Sequence, residues 1–385
     1  MIRAISIFNI LLFVFFTSCS SNDDEEELGI QETEKSEAII EPVLKEVEVV
    51  NITETSVMIK GKIEDDGHGT IKERGVVWSE SEDFTQVNEK LATAVKGSGE
   101  FSVEINGLIE DTEYYLKAFA KNELGNGYSL PASFKTKAVI KPIVYIDESS
   151  FSSLENFNKD WNMLYPWGAD HNGSARMFEE NVNLNDGVLQ IHSEWIDWAW
   201  EGYSTADPHL RITFHSGAVH AKQKIQVTEE LPYWEISGDF KAPTAPSSWP
   251  AFWITGVDSW PPEIDILEFK GTTSNLQNTV TGPSWDQTVW TTVYTDIPDA
   301  SSEWHNYKLT MRRIDDVETE VKMFIDDQLR SSEIKDFTND RFWLIINMQM
   351  EGASGTTNDN SLVRSESQIF SAKNIHVSAT PGAEN

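Results

Sequence analysis

Short alternating runs of apolar and polar residues fill the chain from residue 42 to residue 137. Examples are SVMIKGKI, RGVVWS, EFSVEI and YYLKAFAK. Turn signals such as Asp65-Asp66-Gly67 and Gly125-Asn126-Gly127 stand between them. Alternation with a period of two predicts strands with one buried face. Several short strands within this range therefore predict a small β-sandwich over residues 42–137.

A second and larger region, residues 142–380, also carries only strand patterns. Its runs include GVLQIHS, YWEISGDFKA, AFWITG, EIDILEFKG, HNYKLTMRRI and RFWLIINMQM. No stretch keeps a helical period. So many strands with almost no helix predict an all-β domain of two broad antiparallel sheets stacked face to face.

The first 41 residues have a different character. Residues 1–19 combine a charged start, an apolar run and small residues before Cys19, which predicts a signal peptide that is too short for a membrane span. Cys19 is the only cysteine, so no intramolecular disulfide can form. Residues 20–41 are polar and strongly acidic, and we expect them to be a disordered tether.

The formal net charge of the chain is -33. Phosphate groups would be repelled by such a protein, so we expect no nucleic-acid partner and no direct binding to an anionic membrane surface. No feature of the sequence indicates self-association, and we expect a monomer.

The segment Trp249–Phe269, WPAFWITGVDSWPPEIDILEF, places three acids on one predicted strand. Glu263 and Asp265 point to the same face because side chains on a strand alternate. Glu268 would point the other way on a regular strand. A β-bulge near Ile266-Leu267 returns it to the face of the other two acids.

Three acids on one face repel each other, and this crowding raises the pKa of at least one of them. A carboxylate beside a protonated acid is what retaining glycoside hydrolysis requires, with the two carboxyl groups about 5–5.5 Å apart. Close neighbours on one strand can meet that distance. An inverting enzyme needs a wider gap, which one strand supplies less easily.

Thirteen of the fourteen tryptophans lie in the second region. Tryptophan rings stack well on the apolar faces of sugars. The tryptophans expected to line a sugar-binding cleft beside the acids are Trp249, Trp253, Trp260 and Trp285. Those expected in the core of the sandwich are Trp161, Trp234, Trp304 and Trp343.

The three acids also fit two roles other than catalysis. Carboxylates are ligands of calcium, although the chain contains no clear run of calcium ligands. We therefore expect no required cofactor and no metal site, and a structural calcium ion stays an alternative. A solvated acidic face is disfavoured because tryptophan and isoleucine residues are interleaved with the acids.

The EIDILE segment resembles the bulged Glu-x-Asp-x-x-Glu signature of glycoside hydrolase family 16. SSWPAFWITG, NVNLNDGVLQI, WHNYKLTM, VKMFIDDQL and FWLIINMQMEG fall in the order expected for that family. The resemblance implies a two-sheet β-jelly roll, the concanavalin A-like sandwich of lectins and glucanases, and an endo-acting retaining enzyme. It implies that Glu263 is the nucleophile, Glu268 the general acid/base and Asp265 a residue that orients or tunes the nucleophile.

Two further resemblances concern the N-terminal part. Phe16-Thr17-Ser18-Cys19 resembles a bacterial lipobox, and the acidic run after it resembles the export signal of surface lipoproteins. This implies a lipid on Cys19, a membrane attachment through that lipid, and an outer-membrane protein exposed on the cell surface. The segment LIEDTEYYLKAFAKNELGNGYS resembles the end of a fibronectin type III domain, which we expect to act as a spacer.

The sequence leaves the substrate and the rival functions open. Laminarinases usually carry a His-Trp-Gly-like segment after the acidic strand, where this chain has LQNTVTGPSWDQTVW. The substrate is thus a laminarin-type glycan or a galactan of the red-algal type. The rivals to a hydrolase are a catalytically silent glycan-binding protein and a transglycosylase on the same fold. The complete acid triplet favours the enzyme, because binding alone has no use for paired acids.

Overall fold

The computed structural model describes residues 37–91, 97–196, 201–351 and 367–382. The chain divides into two units between Ala138 and Val139. The predicted signal peptide, Cys19 and the part of the predicted tether up to residue 36 lie outside the described residues. In the part of the chain that is described, no helix is long and apolar enough to cross a membrane.

The first unit is a β-sandwich of two small sheets. Its strands are β1 (Val43–Leu44), β2 (Glu48–Val50), β3 (Ser56–Asp65), β4 (Glu73–Ser79), β5 (Asn88–Leu91), β6 (Gly99–Asn106), β7 (Glu113–Lys121), β8 (Asn126–Tyr128) and β9 (Ala132–Lys135). One sheet has the order β1-β3-β2, with β6 also paired to β3. The other has the order β5-β4-β7-β8, with β9 also paired to β7.

Alternation in the sequence accounts for this unit. Along β6 every second residue is buried, and Phe101, Val103 and Ile105 form part of its core. The hydroxyl of the buried Tyr114 accepts a hydrogen bond of 2.9 Å from the backbone N–H of Ile109. This contact ties the start of β7 to the turn that precedes it.

The second unit begins with strand β10 (Ile143–Ile146) and helix α1 (Leu154–Asp160), and it also has a short 3-10 helix at Glu179–Asn181. Its next strands are β11 (Trp161–Met163), β12 (Ala175–Met177), β13 (Val182–Asn185), β14 (Val188–Trp195), β15 (Phe214–Ser216), β16 (Ala218–Ala221), β17 (Ile225–Gln226) and β18 (Tyr233–Lys241). The remaining strands are β19 (Ser248–Gly256), β20 (Glu263–Glu268), β21 (Ser274–Thr281), β22 (Val289–Asp296), β23 (His305–Arg313), β24 (Thr319–Ile325), β25 (Gln328–Lys335), β26 (Arg341–Met350) and β27 (Gln368–Thr380).

These strands form two large sheets. The ten-stranded sheet has the order β12-β15-β14-β27-β18-β23-β24-β25, with β10 on β27 and β13 on β14. The eight-stranded sheet has the order β11-β16-β26-β19-β20-β21-β22, with β17 on β26. Phe240 of the first sheet meets Phe252 of the second with ring centroids 4.7 Å apart. The predicted all-β sandwich of two stacked sheets is confirmed.

The core of this unit lies between the two sheets, and four tryptophans were predicted to belong to it. Trp161 and Trp234 are fully buried in it, as predicted. Trp343 is partly buried and packs against its edge. The prediction is wrong for Trp304, which precedes β23 and is only half-buried. Its ring instead lies under the ammonium groups of two lysines of the ten-stranded sheet, Lys241 and Lys373.

Candidate active site

The acidic strand β20 contains the predicted bulge. Across the pair of β19 and β20, Trp253 lies opposite Asp265 and Phe252 lies opposite Leu267, so Ile266 is the extra residue. The side-chain amide of Gln277 donates a 3.0 Å hydrogen bond to the carbonyl oxygen of Ile266. The extra residue is therefore held by the neighbouring strand β21.

Because of the bulge, the polar and apolar residues of β20 separate onto two faces. Ile264, Ile266 and Leu267 are completely buried in the core. Glu263, Asp265 and Glu268 line a cavity of about 880 Å³ on the opposite face of the sheet. We call this space the acidic cavity.

Tryptophan side chains hold the two outer acids. The indole N–H of Trp260 donates to Oε2 of Glu263 at 3.0 Å. The indole N–H of Trp249 donates to Oε1 of Glu268 at 2.7 Å. The same oxygen of Glu268 pairs with the ammonium group of Lys270 at 3.1 Å. Each outer carboxyl group thus has a fixed direction before any substrate arrives.

Asn278 of β21 joins the inner acid to one of the outer acids. Its amide nitrogen donates to Oδ2 of Asp265 at 2.8 Å and to Oε2 of Glu268 at 2.9 Å. Its amide oxygen accepts a 2.7 Å hydrogen bond from the hydroxyl of Thr292. Since a carboxylate only accepts hydrogen bonds, the nitrogen end of the amide faces the acids, and the oxygen end is left to accept from Thr292.

The environment favours the protonated forms of two of the three acids. Burial, joined by the charge of Glu268 and opposed by the Trp260 hydrogen bond, raises the pKa of Glu263 to about 7. Glu263 is partly exposed to the cavity, whereas Asp265 is buried. Burial, with the charges of Glu263 and Glu268, raises the pKa of Asp265 well above its ordinary value. The surroundings of Asp265 thus favour its protonated form more than water does.

The structure brings three of the four predicted tryptophans to the acids. Trp249, Trp253 and Trp260 all line the acidic cavity. Trp285 is 76 % exposed and is not among the residues that line the cavity, so its contact with substrate stays a prediction. It lies in the loop that joins β21 to β22, and this loop extends beyond the end of the sheet, so the ring is directed to solvent.

Comparisons with known proteins fit this geometry. No model of a protein family matches the chain. The chain is 35 % identical over 237 residues to the galactan endo-beta-1,3-galactanase of Flammulina velutipes, covering 61 % of this chain and 90 % of that protein. A high identity over nearly the whole length of that enzyme, together with the bulged acid motif, decides the family.

The chain belongs to glycoside hydrolase family 16. It is a retaining endo-β-glycosidase that acts on polysaccharides. It is also similar to the endo-1,3-1,4-beta-glycanase ExsH of Rhizobium meliloti, with 29 % identity over 49 % of this chain and 38 % of that protein. Among solved structures it is similar to a glycoside hydrolase family 16 endo-glucanase from Bacteroides ovatus, with 17 % identity, a TM-score of 0.45 and coverage of 60 % of this chain and 98 % of that one.

The cavity of this family 16 enzyme also contains residues that the sequence pattern did not single out. They come from the loop before β12, from the connection between β20 and β21, and from β21, β22 and β26, and include Trp167, His171, Lys270, Asn278, Trp290, Tyr294 and Asn347. One signal was available for β22. Its sequence VWTTVYTD alternates, which places Trp290, Thr292 and Tyr294 on one face. Their cross-strand partners include Asn278, so this face is the one that carries the acids.

No group of three or more His, Cys, Asp or Glu side chains in the described ranges has the arrangement of a metal site. The three acids of β20 are instead bound to indole, amide and ammonium donors, which leaves a hydrogen-bonded acid cluster rather than a cation cage.

Proposed function

We propose that this family 16 enzyme hydrolyses β-1,3-linked galactan within the chain. The observation that carries the proposal is the bulged strand β20, which directs Glu263, Asp265 and Glu268 into a cavity walled by tryptophans. The galactan is proposed from the similarity to the Flammulina velutipes galactanase over 90 % of that enzyme.

In the first step of the proposed mechanism, the Glu263 carboxylate attacks the anomeric carbon and forms a glycosyl-enzyme intermediate. Glu268 donates a proton to the leaving oxygen in the same step. In the second step Glu268 takes a proton from water, and the resulting hydroxide equivalent releases the product with its configuration retained. Asp265, which lines the same cavity between the two outer acids along the strand, orients or tunes the Glu263 nucleophile.

The charges around the cavity favour an uncharged glycan. Four acids line it, namely Asp258 and the three acids of β20. Lys270 is the only lysine or arginine among the described lining residues, and it pairs with Glu268. A sulfate group on the substrate would meet these acids while Lys270 is already paired with Glu268 and Arg341 with Asp258, so we propose an unsulfated galactan rather than a sulfated red-algal one.

The test is an analysis of products from a panel of unsulfated β-1,3-galactan, laminarin, mixed-linkage β-glucan, agarose, porphyran and carrageenan. We expect short oligosaccharides from β-1,3-galactan early in the reaction. Products from laminarin alone would contradict the galactan proposal. Products longer than the starting oligosaccharide would show transglycosylation. The Glu263→Gln variant is the control, since it keeps the shape of the site but has no nucleophile.

We also propose that the protein is an outer-membrane lipoprotein on the cell surface, attached by a lipid on Cys19. The support is the lipobox-like sequence before Cys19 and the acidic run after it. We propose further that the first unit is a fibronectin type III-like spacer, a proposal to which the Ile109–Tyr114 hydrogen bond lends support. The Cys19→Ala variant should appear in the soluble fraction of the cell, and membrane retention of this variant would contradict the anchor.

A further inference from the structure

The loop between β11 and β12 forms one wall of the acidic cavity, and three of its residues line the cavity: Trp167, His171 and Asn172. Two backbone hydrogen bonds between Tyr165 and Gly168, of 3.1 and 3.2 Å, close a tight turn at its start. The end of the loop is fixed by Asp170, which accepts two hydrogen bonds from the guanidinium group of Arg176 at 2.7 and 2.9 Å. The loop is therefore a rigid wall.

The imidazole ring of His171 is held by aromatic rings. Its centroid lies 5.8 Å from that of Trp253, with the planes 22° apart. It lies 5.2 Å from the ring of Trp167 and 5.3 Å from that of Tyr165. These contacts fix the plane of the imidazole and hence the directions in which its two nitrogens can form hydrogen bonds.

Neither ring nitrogen of His171 has a hydrogen-bond partner among the described residues. Its neighbours Trp253 and Trp167 contact it only through their rings. Beside it, the buried side-chain oxygen of Asn172 also has no partner within the described part of the chain. Leaving the buried Asn172 oxygen without a partner costs about 1–3 kcal/mol, whereas the His171 ring is partly exposed to the cavity, where a ligand can reach it. Polar atoms without hydrogen-bond partners in a rigid wall indicate a ligand that forms the missing hydrogen bonds.

The chemistry of His171 selects the kind of ligand group. Burial lowers its pKa to about 4, so the ring is neutral at physiological pH. A neutral imidazole offers one donor and one acceptor. A sugar hydroxyl can both donate and accept, whereas a sulfate or carboxylate group can only accept. The site therefore matches an uncharged hydroxyl group.

We propose that His171 is a specificity-determining residue that hydrogen-bonds one hydroxyl group of the sugar bound beside Trp253 in the acidic cavity. The proposal rests on the proposed function, because it names a contact to the same substrate. It adds a reason for choosing between neutral glycans. Galactose and glucose differ in the direction of one hydroxyl group, and a fixed donor and acceptor can distinguish the two directions.

The experiment is a cycle between an enzyme variant and a set of substrates. His171→Phe keeps a ring against Trp253 and removes both nitrogens. We measure kcat/KM for wild type and variant on one β-1,3-galacto-oligosaccharide and on its monodeoxy analogues, each lacking a single hydroxyl. For one analogue, the kcat/KM of the wild type should be about tenfold or more below its value on the parent. The kcat/KM of the variant on the parent should be lower than that of the wild type by the same factor, and it should not fall further on that analogue.

A matched control is Trp167→Phe, which alters ring area in the same wall and should lower kcat/KM by one common factor on every substrate. If His171→Phe also lowers kcat/KM by one common factor on every analogue, the ring acts through packing and the proposal is overturned. An unchanged kcat/KM for the variant overturns it as well. If the wild type cleaves laminarin and not galactan, the galactan proposal fails, and the cycle is run with gluco-oligosaccharides to test His171 separately.

A second measurement covers the case in which His171→Phe fails to fold. In the Glu263→Gln variant, which binds substrate without cleaving it, the nitrogen NMR shifts of His171 are followed on addition of the parent oligosaccharide and of each analogue. We expect a shift with the parent that is absent with one analogue. Equal shifts with the parent and with every analogue would overturn the proposal.

Discussion

At the scale of single residues, a substitution of Glu268 should distinguish the two chemical steps of the proposed mechanism. Glu268→Ala removes the proton donor and the base, so turnover on polysaccharide should fall by about 10²–10⁴-fold. Azide can enter the space left by the side chain and needs no base, so it should restore part of the turnover and give a β-configured glycosyl azide. Glu263→Ala is the matched variant, and azide should not yield a β product from it. Proton NMR of the products decides, and an α anomer as the first product of wild type would contradict these roles.

Glu263 links activity and stability through its proton. Its pKa is raised to about 7 in the folded protein, so the ionised nucleophile forms as pH rises through 7. We expect kcat/KM to rise with pH on the acidic side with a midpoint near 7. A flat profile from about pH 5 to about pH 8 would contradict the assignment of Glu263.

The same shift has a defined sign for stability. The folded state binds the Glu263 proton more tightly than the unfolded state. The residue therefore destabilises the fold progressively as pH rises from 4.5, the ordinary pKa of a glutamate, to about 7, its pKa in the folded protein. Glu263→Gln cannot ionise. Its melting temperature should therefore exceed that of wild type at pH values above 7 and approach it at pH values below 4.5. A difference that does not change with pH would contradict this coupling.

At the scale of elements, the bulge in β20 depends on the strand beside it. Gln277 is fully buried and donates to the carbonyl of the extra residue Ile266. Gln277→Ala leaves that carbonyl without its partner and should lower the free energy of unfolding by about 1–3 kcal/mol. It should also lower kcat, because the bulge directs Glu268. Thr281→Ala, at the end of the same strand, is the control. An unchanged kcat would mean that the bulge holds its form without Gln277.

We expect opposite results for Trp290 in strand β22 and for Trp285 in the loop before this strand. Trp290 is 49 % exposed, lines the acidic cavity and lies 6.4 Å from the ring of Trp260. Trp290→Ala should weaken binding of long substrates by on the order of 1 kcal/mol, or about fivefold in KM. Trp285→Ala, in the exposed loop, should change KM little. Equal effects of the two substitutions would contradict the placement of the cleft.

At the scale of the whole molecule, each unit has a separate hydrophobic core. The residues that line the acidic cavity all belong to the second unit. Removal of residues 20–137 should therefore leave kcat/KM on soluble oligosaccharides unchanged within about twofold, since no residue that lines the cavity is removed and distant sites couple by only about 0.3–0.5 kcal/mol. Circular dichroism checks the fold of the shortened protein, and a folded but inactive product would contradict the spacer role.

The sequence by itself determined the features that depend on local spacing. A period of two fixes which residues of a strand are buried, so alternation was enough to predict two all-β units. The same rule required a bulge to bring Glu268 beside Glu263 and Asp265, and the structure has that bulge at Ile266. The family motif lies within the same six-residue strand, which is why it could be found without any tertiary information.

Only the tertiary structure decided which other residues surround the acids. The position of Asn278 follows from the pairing of β20 with β21, and His171 comes from a loop about 90 residues before the acids along the chain. Trp285 lies nearer to the acids in sequence, yet it is exposed and is not among the residues that line the cavity. The sequence around Trp304 has no periodic pattern that would show whether its ring lies in the core or is covered by lysines. Contacts of this kind depend on sheet order and loop direction, which no local period encodes.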